Sequence, residues 1–401
     1  MTTSQQQWAL WGALALVVAA VVALLVFDLT ASDEATSGAL TQRPAREGCV
    51  SETGSDGACA RVRALRTPVE VLVSPDGKHV YVASQSAVAG GVAVFDRAAD
   101  GGALTQKRGR AGCLSDGGRV PGCARANAIK APVDLAISPD GRHVYVAALT
   151  SDAIAVLARD PATGILTQRR GRAGCVGTRP PCAVMRGMDA PLSVRVSPDG
   201  RNVYAYSYDS RDLVAFDRQP RSGRLTRIRG SGGCTRADLG LMQCGRRLFA
   251  FDQGLSLSAD AKNAYEVNSD ALLTYDRDEA SDTFRVKSGS SGCFGTSQVS
   301  DCTPADAIEG TTDVALSPDG RNVYVAATDS VSLAIFDRDA DGALKQKQRP
   351  NGCVSNETGS RCATGRGFTN PISTPFSATV SPDGRNVYAT TGEAVAVFAR
   401  R

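Results

Sequence analysis

The chain has 401 residues, of which 42% are hydrophobic and 21% charged, a composition that excludes a disordered chain. It is long enough for two average domains or for one large array of repeats. The net charge of +4 is small and aromatic residues make up only 5%, which argues against a site that stacks the bases of a nucleic acid.

The first element in chain order is an apolar run of twenty residues, Trp8 to Phe27, that contains no charge and is long enough to cross a bilayer as one helix. Trp8 and Trp11 lie where aromatic residues anchor such helices at the membrane interface. We therefore expect a short cytoplasmic tail over residues 1–7, a transmembrane or signal-anchor helix over residues 8–27 and a linker over residues 28–37. The alternative is a signal peptide that is cleaved to release a secreted protein, but such peptides normally start with basic residues and have a shorter apolar core. The sequence thus predicts a single-pass protein of the cell membrane with the rest of the chain on the extracytoplasmic side.

Twelve cysteines follow this run and fall into six close pairs. Their even number and regular distribution indicate disulfides formed in an oxidising compartment. Zinc sites are the alternative, but they need shorter Cys spacings and often His ligands, and the chain has only two histidines. The predicted disulfides are Cys49–Cys59, Cys113–Cys123, Cys175–Cys182, Cys234–Cys244, Cys293–Cys302 and Cys353–Cys362.

Two sequence markers recur in step along the remaining chain. The first is SPDG-[KR]-x-VY, which begins at residues 74, 138, 197, 317 and 381 and has a degenerate copy, SADAKNAYEV, at 258–267. The second is G-x-LT, seen as GALTQ at 38–42 and 102–106, GILTQ at 164–168 and GRLTR at 223–227. Because two independent markers keep the same period of about 60 residues, the chain contains six repeats.

Each repeat predicts four short antiparallel strands. In the second repeat these are PVDLAIS (132–138), RHVYVAAL (142–149), AIAVLAR (153–159) and ILTQRR (165–170), and SPDG forms the tight turn between the first two. Six such units predict an all-β, six-bladed β-propeller over residues 38–401.

The two ends of the repeat array are incomplete. The chain ends on EAVAVFARR (393–401), a third strand with no fourth strand after it, and the array begins with GALTQR (38–43), a fourth strand with no third before it. We expect these fragments to pair and close the last blade, which protects edges that an open ring would expose.

The SPDG-[KR]-x-VYVA marker, the FDR strand end and the GxLTQ marker together resemble the YVTN-type, lactonase-like β-propeller repeat proteins of bacteria, within the WD40/YVTN repeat-like superfamily. The resemblance covers residues 38–401 and implies a propeller with a polar site near the mouth of its central channel. The lactonases of this superfamily have seven blades, whereas this chain has six repeats. The resemblance is therefore stronger evidence for the fold than for the activity.

Four charged residues are candidates for a catalytic site at the channel mouth. Glu70, Asp134 and Asp313 each stand four residues before a marker serine, and Arg195 stands two before one, on strands expected to line the channel. Carboxylates there could activate water for lactone hydrolysis; alternatively, they cap backbone amides at the strand starts. His79 and His143 share a repeat position that Asn fills elsewhere, which indicates a structural role.

A calcium site is a second candidate, because DRDADGAL (337–344) places Asp337, Asp339 and Asp341 at alternate positions of a Gly-closed turn. The alternative is an acidic hairpin turn without a metal.

The cysteine segments carry a large excess of Lys and Arg, and the rest of the chain is correspondingly acidic. We expect these segments, with Arg108, Arg110, Arg170 and Arg172, to form a basic face that binds an anionic envelope polymer, a lipid headgroup or an acidic protein, and not a nucleic acid. The first functional hypothesis is therefore a membrane-anchored binding or scaffold module at the cell surface. The alternative is a lactonase-type hydrolase with its site at the channel mouth.

Overall fold

The computed structural model describes residues 37–86, 90–209, 213–228, 234–236, 241–244, 247–250, 254–268, 271–278, 283–297, 299, 302–356, 361–366 and 377–401. Within these ranges, no helix has the length and apolar character needed to cross a membrane. The predicted membrane helix, residues 8–27, lies outside the described residues, as do the tail and most of the linker. The described part is all-β apart from short 3-10 turns, and its sheets are arranged like the blades of a propeller.

The first complete sheet, blade 1, shows why the marker sequence folds as it does. Its first strand is Pro68–Val73, its second His79–Ser84 and its third Gly91–Arg97, all antiparallel. In the turn between the first two, the Ser74 hydroxyl donates to Asp76 at 2.5 Å and accepts the His79 N–H at 3.0 Å. Gly77 takes a φ of +68°, a conformation that strongly favours glycine. The SPDG marker is therefore a self-capped turn that fixes the register of the two inner strands.

The outer part of each blade differs from the four-strand prediction. In blade 1 the fourth strand is divided: Leu104–Gln106 and Cys113–Asp116 pair with successive halves of the third strand. A further short strand, Ala124–Ala126, pairs in parallel with Cys113–Asp116. The disulfide between Cys113 and Cys123 folds the chain back on itself here, so the cysteine segment forms part of the sheet and not only a loop.

The other blades repeat this plan with local differences. Blade 2 comprises Pro132–Ile137, His143–Ala148, Ala153–Arg159, Leu166–Gln168, Cys175–Gly177 and Ala183–Val184. Blade 3 comprises Pro191–Val196, Asn202–Ser207, Leu213–Arg218 and Leu225–Arg227, and it is followed by a separate three-stranded sheet of Cys234–Arg236, Leu241–Cys244 and Arg247–Ala250. Blade 4 comprises Leu255–Leu257, Asn263–Asn268, Ala271–Asp278, Thr283–Val286, Cys293–Gly295 and Thr303–Pro304. Blade 5 comprises Thr311–Leu316, Asn322–Ala327, Ser332–Arg338, Leu344–Gln346, Cys353–Ser355 and Ala363–Thr364. The 3-10 turns are Ala45–Gly48, Ser55–Gly57, Gly109–Gly112, Leu149–Ser151 and Gly171–Ala173.

Blade 6 is built from both ends of the repeat array, as the sequence predicts. Its inner strands are Ala378–Val380, Asn386–Thr390 and Ala394–Arg400, and its outer strands are Leu40–Gln42, Cys49–Ser51 and Ala60–Arg61. Leu40 pairs with Arg400 and Gln42 with Phe398. In addition, the Tyr324 hydroxyl of blade 5 donates to the Gly38 carbonyl at 3.0 Å. The closure prediction is therefore confirmed.

The apolar cores lie between neighbouring blades. One cluster joins Tyr81 and Val94 of blade 1 to Leu135 and Val144 of blade 2, and the equivalent layer recurs between other blades. The first strands of blades 1 and 2, 2 and 3, 4 and 5, 5 and 6, and 6 and 1 contact each other. Since these are the innermost strands, they surround the central channel.

Neighbouring blades are also connected by polar contacts, and these contacts give three residues of the SPDG marker region a structural role. Arg159, at the end of the third strand of blade 2, donates to the Tyr81 hydroxyl at 2.6 Å, lies 2.8 Å from His79 Nδ1 and reaches Asp76 at 2.7 Å, all in blade 1. We call this set of contacts the interblade clasp. Equivalent arginines bind the preceding blade in four other places: Arg97, Arg218, Arg338 and Arg400. His79 and His143 thus accept from a clasp arginine, as expected of a structural position.

Five of the six predicted disulfides are confirmed: Cys49–Cys59, Cys113–Cys123, Cys175–Cys182, Cys293–Cys302 and Cys353–Cys362. Cys234 and Cys244 pair across adjacent strands, but their side chains lie outside what the structure describes.

Candidate active site

A backbone irregularity marks the predicted channel residues in four blades. The pairing of the first two strands shifts between Pro68 and Glu70, and it shifts in the same way just before Asp134, Ser193 and Asp313. Such a bulge adds a residue to one strand and re-aims the side chain that follows it. In these four blades, the residue four before the marker serine therefore follows a bulge near the start of the innermost strand.

Asp134 is a fully buried carboxylate that connects blades 2 and 3. One carboxylate oxygen accepts the backbone N–H of the next residue, Leu135, at 2.8 Å. The other accepts the Val194 N–H at 2.8 Å, the Ser193 hydroxyl at 3.0 Å and the Arg195 guanidinium at 2.5 Å. Only 1% of the Asp134 side chain is exposed, so these partners replace water almost completely. The structure thus pairs two of the predicted site residues, and it also supports the alternative that an acid here caps backbone amides.

Asp313 repeats this arrangement between blades 5 and 6. Its carboxylate accepts the Val314 N–H at 2.8 Å and the Ala378 N–H at 2.9 Å. Burial raises its pKa to about 6, although both amides, Arg195 and the Ser377 hydroxyl favour the charged form. Asp313 is therefore a carboxyl group that gains and loses a proton close to neutral pH.

Glu70, in blade 1, lies among these groups and is half-buried. Burial, followed by repulsion from Asp134 and Asp313, raises its pKa well above the usual range, and Arg195 and the Ser377 hydroxyl oppose this only in part. Because the charge of Asp313 raises the pKa of Glu70, ionisation of one carboxyl group disfavours ionisation of the other, so the two compete for a proton.

Arg195 supplies the positive charge of the site. Burial disfavours its charged form, but the charges of Asp134 and Glu70 outweigh burial and raise its pKa, so it remains a cation. Its side chain is 28% exposed, in contrast to the 1% of Asp134, so Arg195 remains accessible from outside this buried cluster. All four predicted residues are thus brought together from blades 1, 2, 3 and 5.

Two members of this site were not singled out by the sequence. Ser193 and Ser377 occupy the same repeat position as the acids, and their hydroxyls contact Asp134 in one case and the Glu70–Asp313 pair in the other. Their shared position in the repeat could have identified both serines, because a serine at this position contacts the acid of the preceding blade.

The predicted arginines of the cysteine segments lie elsewhere. Arg108, Arg110, Arg170 and Arg172 are exposed and lie at or beside the 3-10 turns that divide the outer strand. Gln106 pairs with Phe95 and Cys113 with Ala93, so the turn between them lies opposite the middle of the third strand. These arginines therefore lie at the outer edges of their blades, on the circumference of the propeller, and their binding of an anionic partner stays a prediction.

The acidic turn at 337–344 does not have the geometry expected for calcium. Asp337 accepts from Asn322 at 2.9 Å and pairs with Lys347 at 2.6 Å, and Asp339 accepts the N–H groups of Asp341 and Ala343. In the described part of the chain, no group of three or more His, Cys, Asp or Glu side chains is placed to hold a metal ion. The structure thus favours the alternative, an acidic hairpin turn.

Residues 57–184 match the family described as "Lactonase, 7-bladed beta-propeller", a span that contains Glu70 and Asp134. No curated protein matches the chain.

Among solved structures, the chain is similar to the β-propeller domain of Cps50 (Swd1) from Myceliophteria thermophila, with 12% identity, coverage of 83% of this chain and 96% of that chain, and a TM-score of 0.50. It also matches hydrazine synthase of Kuenenia stuttgartiensis, at 16% identity over 84% and 96% of the two chains, with a TM-score of 0.47. A third match is the periplasmic gluconolactonase of Pseudomonas aeruginosa, at 22% identity over 70% and 69%, with a TM-score of 0.37. The chain therefore has the β-propeller fold, and its sequence is similar to the lactonase family over residues 57–184.

Proposed function

We propose that this chain is a six-bladed propeller that hydrolyses a lactone at the mouth of its central channel. One observation carries the proposal: carboxyl groups from three blades surround one guanidinium from a fourth, on strands that line the channel. The similarity of residues 57–184 to the lactonase family supports the choice of reaction. The six sheets of the blade type support the count of six, although the matched family is described as seven-bladed.

In this scheme Asp313 and Glu70 divide between them the two proton transfers that hydrolysis of a lactone requires. Asp313, with a pKa of about 6, is largely ionised at pH 7 and accepts a proton from the attacking water. The water oxygen bonds to the carbonyl carbon, and the bond from that carbon to the ring oxygen then breaks. Glu70, whose pKa is raised well above its usual range by burial and by the neighbouring carboxylates, donates a proton to the departing ring oxygen. The product is the open hydroxy acid, and the proton taken from water restores Glu70 through the shared pair.

Arg195 stabilises the negative charge that develops on the carbonyl oxygen, because its cationic group is already positioned and remains accessible. Asp134 is a positioning residue in this scheme. Its carboxylate oxygens accept hydrogen bonds from Leu135, Ser193, Val194 and Arg195. In this scheme Asp134 therefore orients the guanidinium and does not exchange a proton with the substrate.

We further propose that the enzyme works outside the cytoplasm and is held at the membrane by residues 8–27. The five described disulfides support an oxidising compartment, where such bonds persist. The membrane attachment rests on the uncharged run of the sequence.

The test is acid release from a panel of sugar 1,4- and 1,5-lactones, measured with the purified full chain and corrected for spontaneous hydrolysis. We expect Glu70→Gln and Asp313→Asn each to lower kcat at least 100-fold, since each removes one proton-transfer step. The matched control is Asp100→Asn, an exposed acid in a hairpin turn of blade 1, which is expected to keep full activity.

Thermal unfolding of each variant separates a lost catalytic group from a lost fold. Wild-type protein that opens none of the lactones, or a folded Glu70→Gln variant that retains full kcat, would overturn the proposal.

A further inference from the structure

The outer edges of three consecutive blades carry a repeated arginine turn. It occurs as Ala45–Gly48 in blade 6, Gly109–Gly112 in blade 1 and Gly171–Ala173 in blade 2. Each turn holds an exposed arginine at its second position: Arg46, Arg110 or Arg172. In blades 1 and 2 a second exposed arginine, Arg108 or Arg170, comes directly before the turn. We call these five residues the arginine arc.

The turn projects from the blade. Its first residue takes a positive φ, of 47° at Ala45, 59° at Gly109 and 63° at Gly171. A Cβ placed at Gly109 or Gly171 would meet no other atom within 4 Å, so the backbone there is surrounded by open space. Behind the turn, the side chain of Gln106 fixes its base by donating to the Gly112 carbonyl at 3.0 Å, and Gln168 does the same for Gly174 at 2.9 Å. The arginines are thus presented outward from a rigid support.

The arc differs in its charge balance from the clasp arginines. Arg97, Arg159 and Arg218 are buried and paired with aspartates of the preceding blade. Within the described ranges, by contrast, none of the five arc arginines forms an ion pair. Glu47, the one acid inside the arc turns, pairs with Arg43 at 2.8 Å and not with an arc arginine. The arc therefore carries positive charge that the protein itself does not neutralise.

The corresponding segments of blades 4 and 5 lack the exposed, unpaired arginines of the arc. In blade 4 the corresponding segment, Ser288–Gly292, contains no charged residue. In blade 5 the corresponding arginine, Arg349, is held by Asp306 at 2.7 Å. Blade 2 contacts blade 1, and blade 1 contacts blade 6, so the three turns follow one another around the rim.

The shape of the arc selects among anionic partners. Its turns lie at mid-height on a convex circumference, where a flat bilayer would touch one blade at a time but a flexible chain follows all three. The large exposed apolar side chains of the described residues, Val184, Tyr208 and Val286, do not belong to the arc turns. An acidic protein would need an apolar centre for its interface, which the arc lacks. Guanidinium groups bind carboxylates through paired hydrogen bonds.

We propose that the arginine arc binds a linear, carboxylate-bearing polysaccharide that runs around blades 6, 1 and 2. The arc is separate from the channel mouth, so this interaction localises the protein on an acidic polymer and does not require that the channel residues be catalytic. Because the attraction comes from several exposed charges, binding weakens steeply as salt displaces the polymer.

The experiment measures binding of the full chain to fluorescent polygalacturonate by anisotropy at 20 mM and 150 mM salt. We compare wild type with the triple variant Arg46→Gln, Arg110→Gln, Arg172→Gln. The matched control is Arg142→Gln, Arg201→Gln, Arg385→Gln, which removes the same charge from exposed positions in the SPDG turns. We expect the arc variant to bind at least tenfold more weakly and with a shallower salt dependence, and the control to change less than twofold.

Three results would overturn the proposal. The first is no saturable binding by wild type at the lower salt, and the second is an equal loss in the control, which would show attraction by net charge alone. The third is tighter binding to phosphatidylglycerol vesicles or to single-stranded DNA than to polygalacturonate, which would assign the arc to a membrane or a nucleic acid. A thermal unfolding midpoint of the arc variant within about 2 °C of wild type shows that it is folded.

Discussion

Arg159 of blade 2 holds Asp76 of blade 1, with 2.7 Å between the guanidinium and the carboxylate and with the Arg159 side chain only 1% exposed. The same guanidinium also donates to the Tyr81 hydroxyl and to the Gly141 carbonyl at 2.9 Å. The pKa of Asp76 is lowered to about 2. Burial alone would raise this pKa, but hydrogen bonds from Ser74, Arg159 and the Lys78 amide together outweigh burial. Arg159 therefore joins blade 2 to blade 1 through a charged acceptor, Asp76, and a neutral one, the Tyr81 hydroxyl, and it also binds a carbonyl of its own blade.

Removing this arginine tests how much the interblade clasp stabilises the ring. We expect Arg159→Ala to lower the free energy of unfolding by about 3 kcal/mol, because the variant leaves Asp76, the Tyr81 hydroxyl and the Gly141 carbonyl without their donor. Urea unfolding measures the change. Arg142→Ala, which removes an exposed arginine of the same blade, is the control and should change it by less than about 0.5 kcal/mol. An equal effect in both variants would contradict a role specific to the clasp.

The histidine of the clasp makes stability depend on pH. Burial, followed by the charge of Arg218, lowers the pKa of His143 to about 4, and Asp140 opposes this while Arg169 and Arg142 add to it. Because the ordinary value is 6.5, the unfolded chain binds the proton first as the pH falls. The contribution of His143 is thus complete above pH 6.5 and is lost as the pH falls toward 4.

His143→Asn should flatten this part of the stability profile. Asparagine already fills the equivalent place in blade 6, where Asn386 Oδ1 accepts from Arg97 at 2.5 Å, so the clasp is retained without a titrating group. We would compare urea midpoints at pH 7.5 and 4.5 and expect a smaller difference in the variant. The paired carboxylate Asp140, with a pKa of about 2, loses its contribution only below its ordinary value of 3.8, outside this window. An unchanged difference between the two pH values would contradict the assignment.

The closure of blade 6 predicts a long-range effect of the first ordered strand. Leu40 is buried and pairs with Arg400, so Leu40→Ala should cost about 2–3 kcal/mol and increase amide exchange in Ala394–Arg400. Leu104→Ala is the matched control, since Leu104 has the same position in blade 1 and pairs with Arg97. Its effect should appear in Gly91–Arg97 instead. Exchange that rises in the same strand for both variants would argue against the closure.

The pH dependence of catalysis follows from Asp313. If its carboxylate accepts the proton of the attacking water, kcat/KM should rise with pH through about 6, because the group becomes ionised there. In Asp313→Asn the residual rate should no longer show this step. A pH-stat series from pH 4.5 to 8 on the best lactone measures it, and a step of equal position in the variant would assign the titration to another group.

Much of the fold could be predicted because the repeat markers encode local chemistry. Ser74, Pro75, Asp76 and Gly77 form their turn largely from their own atoms, and the alternation in His79–Ser84 places Tyr81 toward the neighbouring blade. The spacing of the cysteines likewise predicted the five disulfides that the structure describes. The shared repeat position of Glu70, Asp134 and Asp313 is what suggested that they belong to one site, and their side chains do interact electrostatically.

The remaining features depend on contacts between residues far apart in the chain. The sequence alone determined the repeats, their turns, the disulfide pairs and the incomplete first and last strands, since each rests on neighbouring residues or on a period. Only the tertiary structure decided that Asp134 binds Arg195 while Glu70 and Asp313 compete for a proton, because burial and charge separation depend on how blades meet. The tertiary structure also shows that the basic segments lie on the circumference of the propeller, because the disulfide-bonded chain folds back along the outer edge of the sheet, as in blade 1.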